Sequence, residues 1–436
     1  MDVDKLLYHY ITDGISHNTK KHVGLELEFP IVALDGGSVR IPALRGMLAA
    51  LEPLGYHIAA VSDGGIPICA RDEQGNAVTF DTCYENMEYV SASAPSLPPI
   101  YRRFRETLLA VQSALHHHGH QVLGIGYNPM MENHAPHLLQ SELTLAIDRF
   151  FRSRAGVIAR YRDFYCSISS EQVHFNTNVQ ELPLLFEAFT RLDWLNILLF
   201  SDSPATLAQG KFLCARNELY MRSGFHALGL VGAQELDVRT IEDIVRSYRR
   251  LGLFVRRRGG HSEVVAPVPV EEYFTQPRYH AQEEDIHCLD IERNLVTTAY
   301  GTVEYRVLCA QPFSDAFVPS AFNLGLREML PEVLALARAF DERHALPAPN
   351  LRNEAASRGV PTFAPHEAME AYALSLLALS RQGLERRGFG EEAFLAPLDA
   401  RNAIFDSPAV CHLRDIHALG ARAALLKRAD TGTALL

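Results

Sequence analysis

The sequence predicts an α+β fold built on a largely antiparallel sheet flanked by helices. Two observations predict it. Segments that alternate polar and apolar residues at period two recur from one end of the chain to beyond residue 300. They are separated by helical patterns of unequal length, without the regular strand–helix–strand cadence of a parallel sheet.

The elements follow in order. Residues 1–20 read as a leading helix, and VGLELEFPIVA over 23–33 reads as a strand. Residues 41–54 form an amphipathic helix, 88–93 a strand closed by APSLPP, and 100–118 a helix stopped by Gly119. A short strand over 121–127 precedes the Asn128-Pro129 turn, and 146–166 has helical periodicity. A strand over 172–179 and a helix over 181–199 follow. Residues 201–300 carry the weakest pattern, with Arg256-Arg257-Arg258-Gly259-Gly260 as a mobile basic loop and Asp202-Ser203-Pro204 as a turn and cap signal. Residues 302–309 form a strand, 316–340 one long helix, and the chain beyond 345 only helices. The expected division is a catalytic unit over 1–345 with a helical region over 346–436 packed on it.

Composition narrows the class. The chain has 436 residues, 47% of them hydrophobic and 21% charged, enough for a large core. A net charge of -11 gives no general attraction to nucleic acid or to an anionic membrane surface. The seven cysteines, at 69, 83, 166, 214, 288, 309 and 411, are odd in number and contain no CxxC. That pattern argues against a disulfide framework and a cysteine-rich zinc site. The first residues lack a basic then apolar leader, and no apolar run has the length of a membrane span, so a cytoplasmic protein is expected.

The strands share one peculiarity. Residues i and i+2 of a strand project from one face. Glu26 and Glu28 therefore share a face, as do His174, Asn176 and Asn178, and as do Glu304 and Arg306; Glu88 sits between Met87 and Tyr89. A half-solvated sheet would explain any one strand. Together, the polar positions are nearly all competent to hold metal or phosphate. Neighbouring glutamates repel unless a cation separates them, and Mg²⁺ takes carboxylate and phosphate oxygens. Arg306 offers a planar fork for a phosphoryl or carboxylate group; an exposed Arg–Glu pair is the plainer alternative. The sequence contains neither GxxxxGK[ST] nor a GxGxxG following a strand, so a nucleotide would bind without those devices.

GLELEF, MEYVSASAP, LGIGYNP, VHFNTNV and VEYRVLCAQPFS occur in an order that resembles glutamate–cysteine ligases, within the wider group of carboxylate–amine ligases. The resemblance spans roughly residues 20–330, and SPAV at 407–410 is compatible with it. It implies a glutamine synthetase-like curved sheet funnel holding two or three Mg²⁺ ions, with Mn²⁺ able to substitute. It also implies transfer of the ATP γ-phosphate to a glutamate carboxylate and attack of an amine, cysteine first among acceptors, on the acyl phosphate. Carried over residue by residue, Glu26, Glu28, Glu88, His174 and Glu304 resemble metal ligands. His174, Asn176 and Arg306 resemble nucleotide-facing residues, and Arg154 and Arg216 resemble substrate-binding arginines. The amine must lose a proton, and Asp81 and Glu85 are the candidate bases. The cysteines show no paired base; Cys309 falls on the face opposite Glu304 unless a bulge intervenes.

The chain departs from the family over 223–300, which leaves the acceptor amine, and even the donor acid, open. The expected partners are small molecules: a carboxylic acid, an amine and ATP. Monomer and homodimer both remain possible. A metal-dependent amide hydrolase and a non-catalytic metabolite-binding protein are the readings outside ligase chemistry. His116-His117-His118-Gly119-His120 is read as a helix end in preference to a metal site, and the 256–258 arginines as solvated in preference to a phosphate clamp.

Overall fold

Leu25, Leu27 and Phe29 are each 1% exposed, while Glu26 and Glu28 project from the opposite face, so Val23–Ala33 forms strand β1 with one apolar and one acidic side. The computed structural model describes residues 1–17, 22–131, 135–153, 163–207, 210–232, 237–289, 292–345 and 350–431. Eight further strands join β1 in one sheet: β2 (His57–Val61), β3 (Pro67–Arg71), β4 (Ala77–Phe80), β5 (Asn86–Val90), β6 (His120–Val122), β7 (Ser170–Asn176), β8 (Leu295–Thr297) and β9 (Thr302–Cys309). The strand order is β8-β9-β7-β1-β5-β4-β3-β2, with β6 also on β1, and every pair is antiparallel. Pro30 falls where β1 changes partner from β7 to β6, a place that tolerates a missing donor.

Helices cover the apolar face. Phe104 of the Leu97–His117 helix packs on Phe29 and Tyr89, with ring centroids 5.8 and 5.3 Å apart. Phe189 of the Leu182–Phe200 helix packs on Phe175 and Tyr305, both at 5.0 Å. Burying each such ring contributes about 1.5–3 kcal/mol, so this face fixes which way the acids point. Glu171, on the same covered face, accepts hydrogen bonds from Ser320 N (3.0 Å) and Oγ, which ties the first turn of the Val318–Glu328 helix to β7.

Several expectations are corrected. The 316–340 helix is two, Val318–Glu328 and Leu330–His344, because Pro331 cannot continue a helix and is tolerated only in a first turn. The 41–54 helix ends at Ala49 and resumes as a single 3₁₀ turn, Glu52–Leu54. Of 146–166, Glu142–Arg152 is helical and Phe164–Cys166 is a 3₁₀ turn; 154–162 lies outside the described residues. The strand expected over 172–179 is Ser170–Asn176, and Asn178 instead accepts from Glu181 N as a turn residue. The three strands β2–β4 were not anticipated.

The 256–258 arginines lie on a hairpin, Gly252–Arg258 with His261–Pro269, whose turn uses Gly259 (φ 56°) and Gly260 (φ 85°). Arg258 is spent on buried Asp285 and Arg256 on Glu263, so this is not a free clamp. The histidine cluster is structural: His120 Nδ1 meets the His118 carbonyl at 2.8 Å, and its Nε2 accepts from Arg40 N. Asp202 is more than a turn signal, since its carboxylate makes a buried two-pronged pair with Arg428 at 2.9 and 3.0 Å. That pair ties the C-terminal helices to the segment below the sheet. No helix among the described residues is long and apolar enough to cross a membrane.

The His366–Arg387 helix crosses Val318–Glu328 with Gly383 against Gly325; a Cβ on Gly383 would lie 2.0 Å from the Gly325 carbonyl oxygen. Gly383→Ala therefore costs about 1–3 kcal/mol by overpacking, read as a drop in urea midpoint; an unchanged midpoint would contradict this contact. His412 supports a pH prediction. Burial and the neighbouring Arg428 charge lower its pKa from 6.5 to about 4. The fold favours the neutral ring, so this contribution is intact above pH 6.5 and is lost as pH falls toward 4. His412→Gln should flatten that part of the Tm–pH curve relative to wild type.

Candidate functional site

Antiparallel register assembles the polar face. Glu28 lies directly opposite Glu88 of β5, Glu26 opposite Gln172 of β7, and His174 opposite Glu304 of β9. Ligand atoms of Glu26, His174 and Glu304 all lie within 4.8 Å of one another. His174 Nε2 is 3.1 Å from Glu26 Oε1, and its Nδ1 is 3.1 Å from the Thr302 hydroxyl. Burial disfavours the imidazolium, but the Glu26 hydrogen bond and the charges of Glu304 and Glu26 outweigh it and raise the His174 pKa.

The acids are crowded. Burial, and then the charges of Glu26, Asp81 and Glu28, push Glu88 well above the usual carboxylate range. Burial also works against the charged form of Glu26, yet His174 and Arg306 hold its pKa below normal. The hydrogen bond between the two carboxyls acts in the same direction, raising Glu88 and lowering Glu26. Glu28 is raised chiefly by burial. Its carboxylate accepts from Ser170 N (2.8 Å), Ser170 Oγ (2.7 Å), Gln172 Nε2 (2.8 Å) and Asn86 Nδ2 (3.4 Å). Four protein donor atoms thus engage Glu28, where Glu26 meets His174 and Glu304 meets Arg306.

A bulge sets the arginines. Register slips between Tyr305 and Leu308, so Leu308 faces Glu171 and Cys309 faces Ser170. Cys309 therefore joins the Glu304 side of the sheet, where its Sγ lies 3.5 Å from Cys214 Sγ. The carbonyls of Arg306 and Val307, freed by the bulge, accept from Arg216 Nη2 (2.9 Å) and Nη1 (3.3 Å). Arg216 is 4% exposed and stacks on Tyr220, so it supports the strand beneath Arg306 instead of projecting into open space. Arg306 pairs with Glu304 and reaches the smaller of two cavities.

The cavities flank the acids. One of about 940 Å³ is bordered by Glu26, His174, Thr302, Arg71 and Tyr300. The other, about 270 Å³, is bordered by Glu28, Asp81 and Arg306 at one end and by Phe80, Ile147, Tyr220 and Phe225 along its walls. Asp81 reaches it from a strained loop. Thr82 has φ 53°, costly for a β-branched residue, and is held by its hydroxyl on the Asp81 and Tyr165 carbonyls and by Leu139 N on its own carbonyl. Glu85 is buried and accepts from His137 N at 3.0 Å, which makes it a loop anchor away from either cavity. Asn176 lies at the end of β7 opposite Thr302, its Nδ2 buried without a partner among the described residues. Arg154 lies outside the described residues. Ser170, Gln172 and Thr302 were missed from sequence. The i, i+2 rule applied backward from His174 reaches Gln172 and Ser170.

No family model matches the chain, and no curated protein matches it by sequence. Solved structures do. A glutamate–cysteine ligase from Francisella tularensis in complex with AMP is similar at TM-score 0.51 and 14% identity, over 94% of this chain and 87% of that one. A bifunctional glutathione synthetase from Pasteurella multocida is similar at TM-score 0.54 and 13% identity, over 98% of this chain and 53% of that longer one. The chain has the fold of these ligases. The expected antiparallel sheet with helical flanks is thereby met by this ligase fold, and at these identities the likeness is one of fold.

The crowding of the acids is directly testable. In chelator-treated protein near neutral pH, Glu88→Gln replaces a carboxyl whose charged form is disfavoured by burial and its acidic neighbours, and Tm should rise by a few degrees, on the scale of about 1 kcal/mol. A fall in Tm would show that Glu88 is stabilised in place.

Proposed function

We propose that the chain is an ATP- and Mg²⁺-dependent ligase that joins glutamate to an amine, with cysteine as the first acceptor to test, through an acyl phosphate. The observation that carries this reading is the Glu26–His174–Glu304 cluster, of which Glu26 and His174 border the large cavity while Glu28 and Arg306 border the small one. The cluster suits a divalent cation: Glu26 and Glu304 are oxygen donors, and crowded buried carboxyls call for positive charge. Glu26, Glu304 and His174 would hold it, with Glu88 joining on loss of its proton; Glu28 is the least available of the five. Mg²⁺ bound there supplies neutralisation of phosphate charge and polarisation of the bond being broken.

The remaining roles fall to the chain's own groups. The larger cavity receives the nucleotide, with Asn176 near its phosphate end. Arg306 borders the small cavity beside Glu304 and orients the reacting carboxylate and phosphoryl oxygens. Arg216 positions Arg306 through the bulge carbonyls. Asp81 borders the small cavity and is placed to take the proton from the amine. Arg154 remains a substrate-carboxylate residue on sequence resemblance alone. Residues 1–345 carry these groups as the catalytic unit, and 346–436 form the helical region packed on it.

A different acceptor has one observation in its favour. Arg306 is the only cation among the described residues that border the small cavity, and it is already paired with Glu304. That suits an amine without a second carboxylate better than one bearing it. Phosphate release should depend jointly on ATP, Mg²⁺, an acid and an amine. Turnover with leucine or phenethylamine but not cysteine would select the second reading. Glu26→Ala and Glu304→Ala should each lower turnover at least about 100-fold while moving Tm little. Full activity in both variants would sink the metal-cluster reading, and failure to bind ATP–Mg²⁺ would favour a hydrolase or binding protein.

A further inference from the structure

Tyr300 is 84% exposed, more than any other large hydrophobic side chain among the described residues, and it borders the larger cavity. The hairpin that carries it is built to a fixed shape. Thr298 N donates to Thr302 O at 2.9 Å, Gly301 N donates to Thr298 O at 3.0 Å, and Gly301 has φ 80°. This is a three-residue loop closed by a left-handed residue, and Tyr300 occupies the outward corner of its turn. The two threonine hydroxyls at its base lie 2.8 Å apart, and the Thr302 hydroxyl in turn meets His174.

The hairpin tip is also held from outside. Gly14, near the end of the Val3–His17 helix, passes so close that a Cβ there would sit 2.7 Å from Thr298 O and 3.2 Å from Ala299 O. The facing wall is equally fixed. Arg71, Gln74 and Gly75 border the cavity from the β3–β4 turn, where Asp72 accepts from Asn76 Nδ2 and from Arg103 at 2.7 Å. The cavity is thus a slot between two rigid hairpin turns, with the acid cluster as its floor and an aromatic ring at its rim.

The order along β9 gives the slot a direction. Glu304, opposite His174, and Thr302 project from one face, and Thr302 and then Tyr300 border the cavity progressively further along the chain from His174. A polyanionic tail drawn to a cation at the floor leaves its other end at the rim. We propose that Tyr300 is the stacking platform for the planar base of the nucleotide, an inference that rests on the larger cavity being the nucleotide site. Its ring supplies a flat apolar face that any purine can cover.

The test compares ATP with inorganic tripolyphosphate, which has the tail and no base, by calorimetric titration in Mg²⁺. Tyr300→Ala should weaken ATP binding about tenfold or more and leave tripolyphosphate within about twofold of wild type. Tyr300→Phe should bind ATP as wild type does. Because the side chain is exposed, neither substitution disturbs the core. If wild type binds ATP and Tyr300→Ala binds it equally well, or loses both ligands alike, the stacking role is overturned while the ligase reading stands. If wild type binds neither ATP nor tripolyphosphate, the nucleotide reading falls and the stacking role with it.

Discussion

Glu28 and Glu88 are directly opposed residues on neighbouring antiparallel strands, both turned away from a face that three helices bury. Neither can leave without pulling Leu27, Phe29, Met87 or Tyr89 out of the core, because a one-residue slip would invert both strands. The hydrophobic effect on one side of the sheet therefore compels like charges together on the other. Burial, and then the charges of Glu26, Asp81 and Glu28, push Glu88 well above the usual carboxylate range. Hydrogen-bond donors quiet Glu28, His174 quiets Glu26, and Arg306 lies against Glu304. What remains is a cluster poised for a cation.

The supporting structure is arranged around that constraint. The β9 bulge frees two carbonyls, and Arg216 caps them, which fixes the strand from which Arg306 projects. The left-handed Thr82 directs Asp81 toward the small cavity. Such strain persists where surrounding bonds over-determine it, and here three hydrogen bonds do so. Two cavities of unequal size then border one charged sheet face, at Glu26 and His174 and at Glu28 and Arg306, an arrangement suited to bringing a polyanion and a smaller partner together.

Much of this was legible in the sequence, and the reason is local. β1 and β9 alternate cleanly, so their spans and the facing of Glu26, Glu28 and Glu304 follow from period two. His174 follows in the same way, although its strand begins two residues earlier than the pattern alone indicates. What could not be read is non-local. Arg216 looks like a substrate arginine until the bulge shows where its guanidinium is engaged. Cys309 changes face for the same reason. β2–β4 are only four or five residues long, and β2 is largely exposed, β3 half-buried and β4 buried, so none shows the sustained apolar alternation that marks a strand. Pro331 was visible but its consequence was missed, because the apolar period runs through it.

The central claim is that the Glu26–His174–Glu304 cluster holds a divalent cation. Mn²⁺ titration of chelator-treated protein, followed by the loss of the free-ion electron paramagnetic resonance signal, measures this without any assumption about substrate. The account predicts saturable Mn²⁺ binding in wild type that Mg²⁺ displaces, and loss of at least one tight site in the Glu26→Gln, Glu304→Gln double variant with its fold intact. Undiminished Mn²⁺ binding in that variant, or none in wild type with or without ATP, would contradict it.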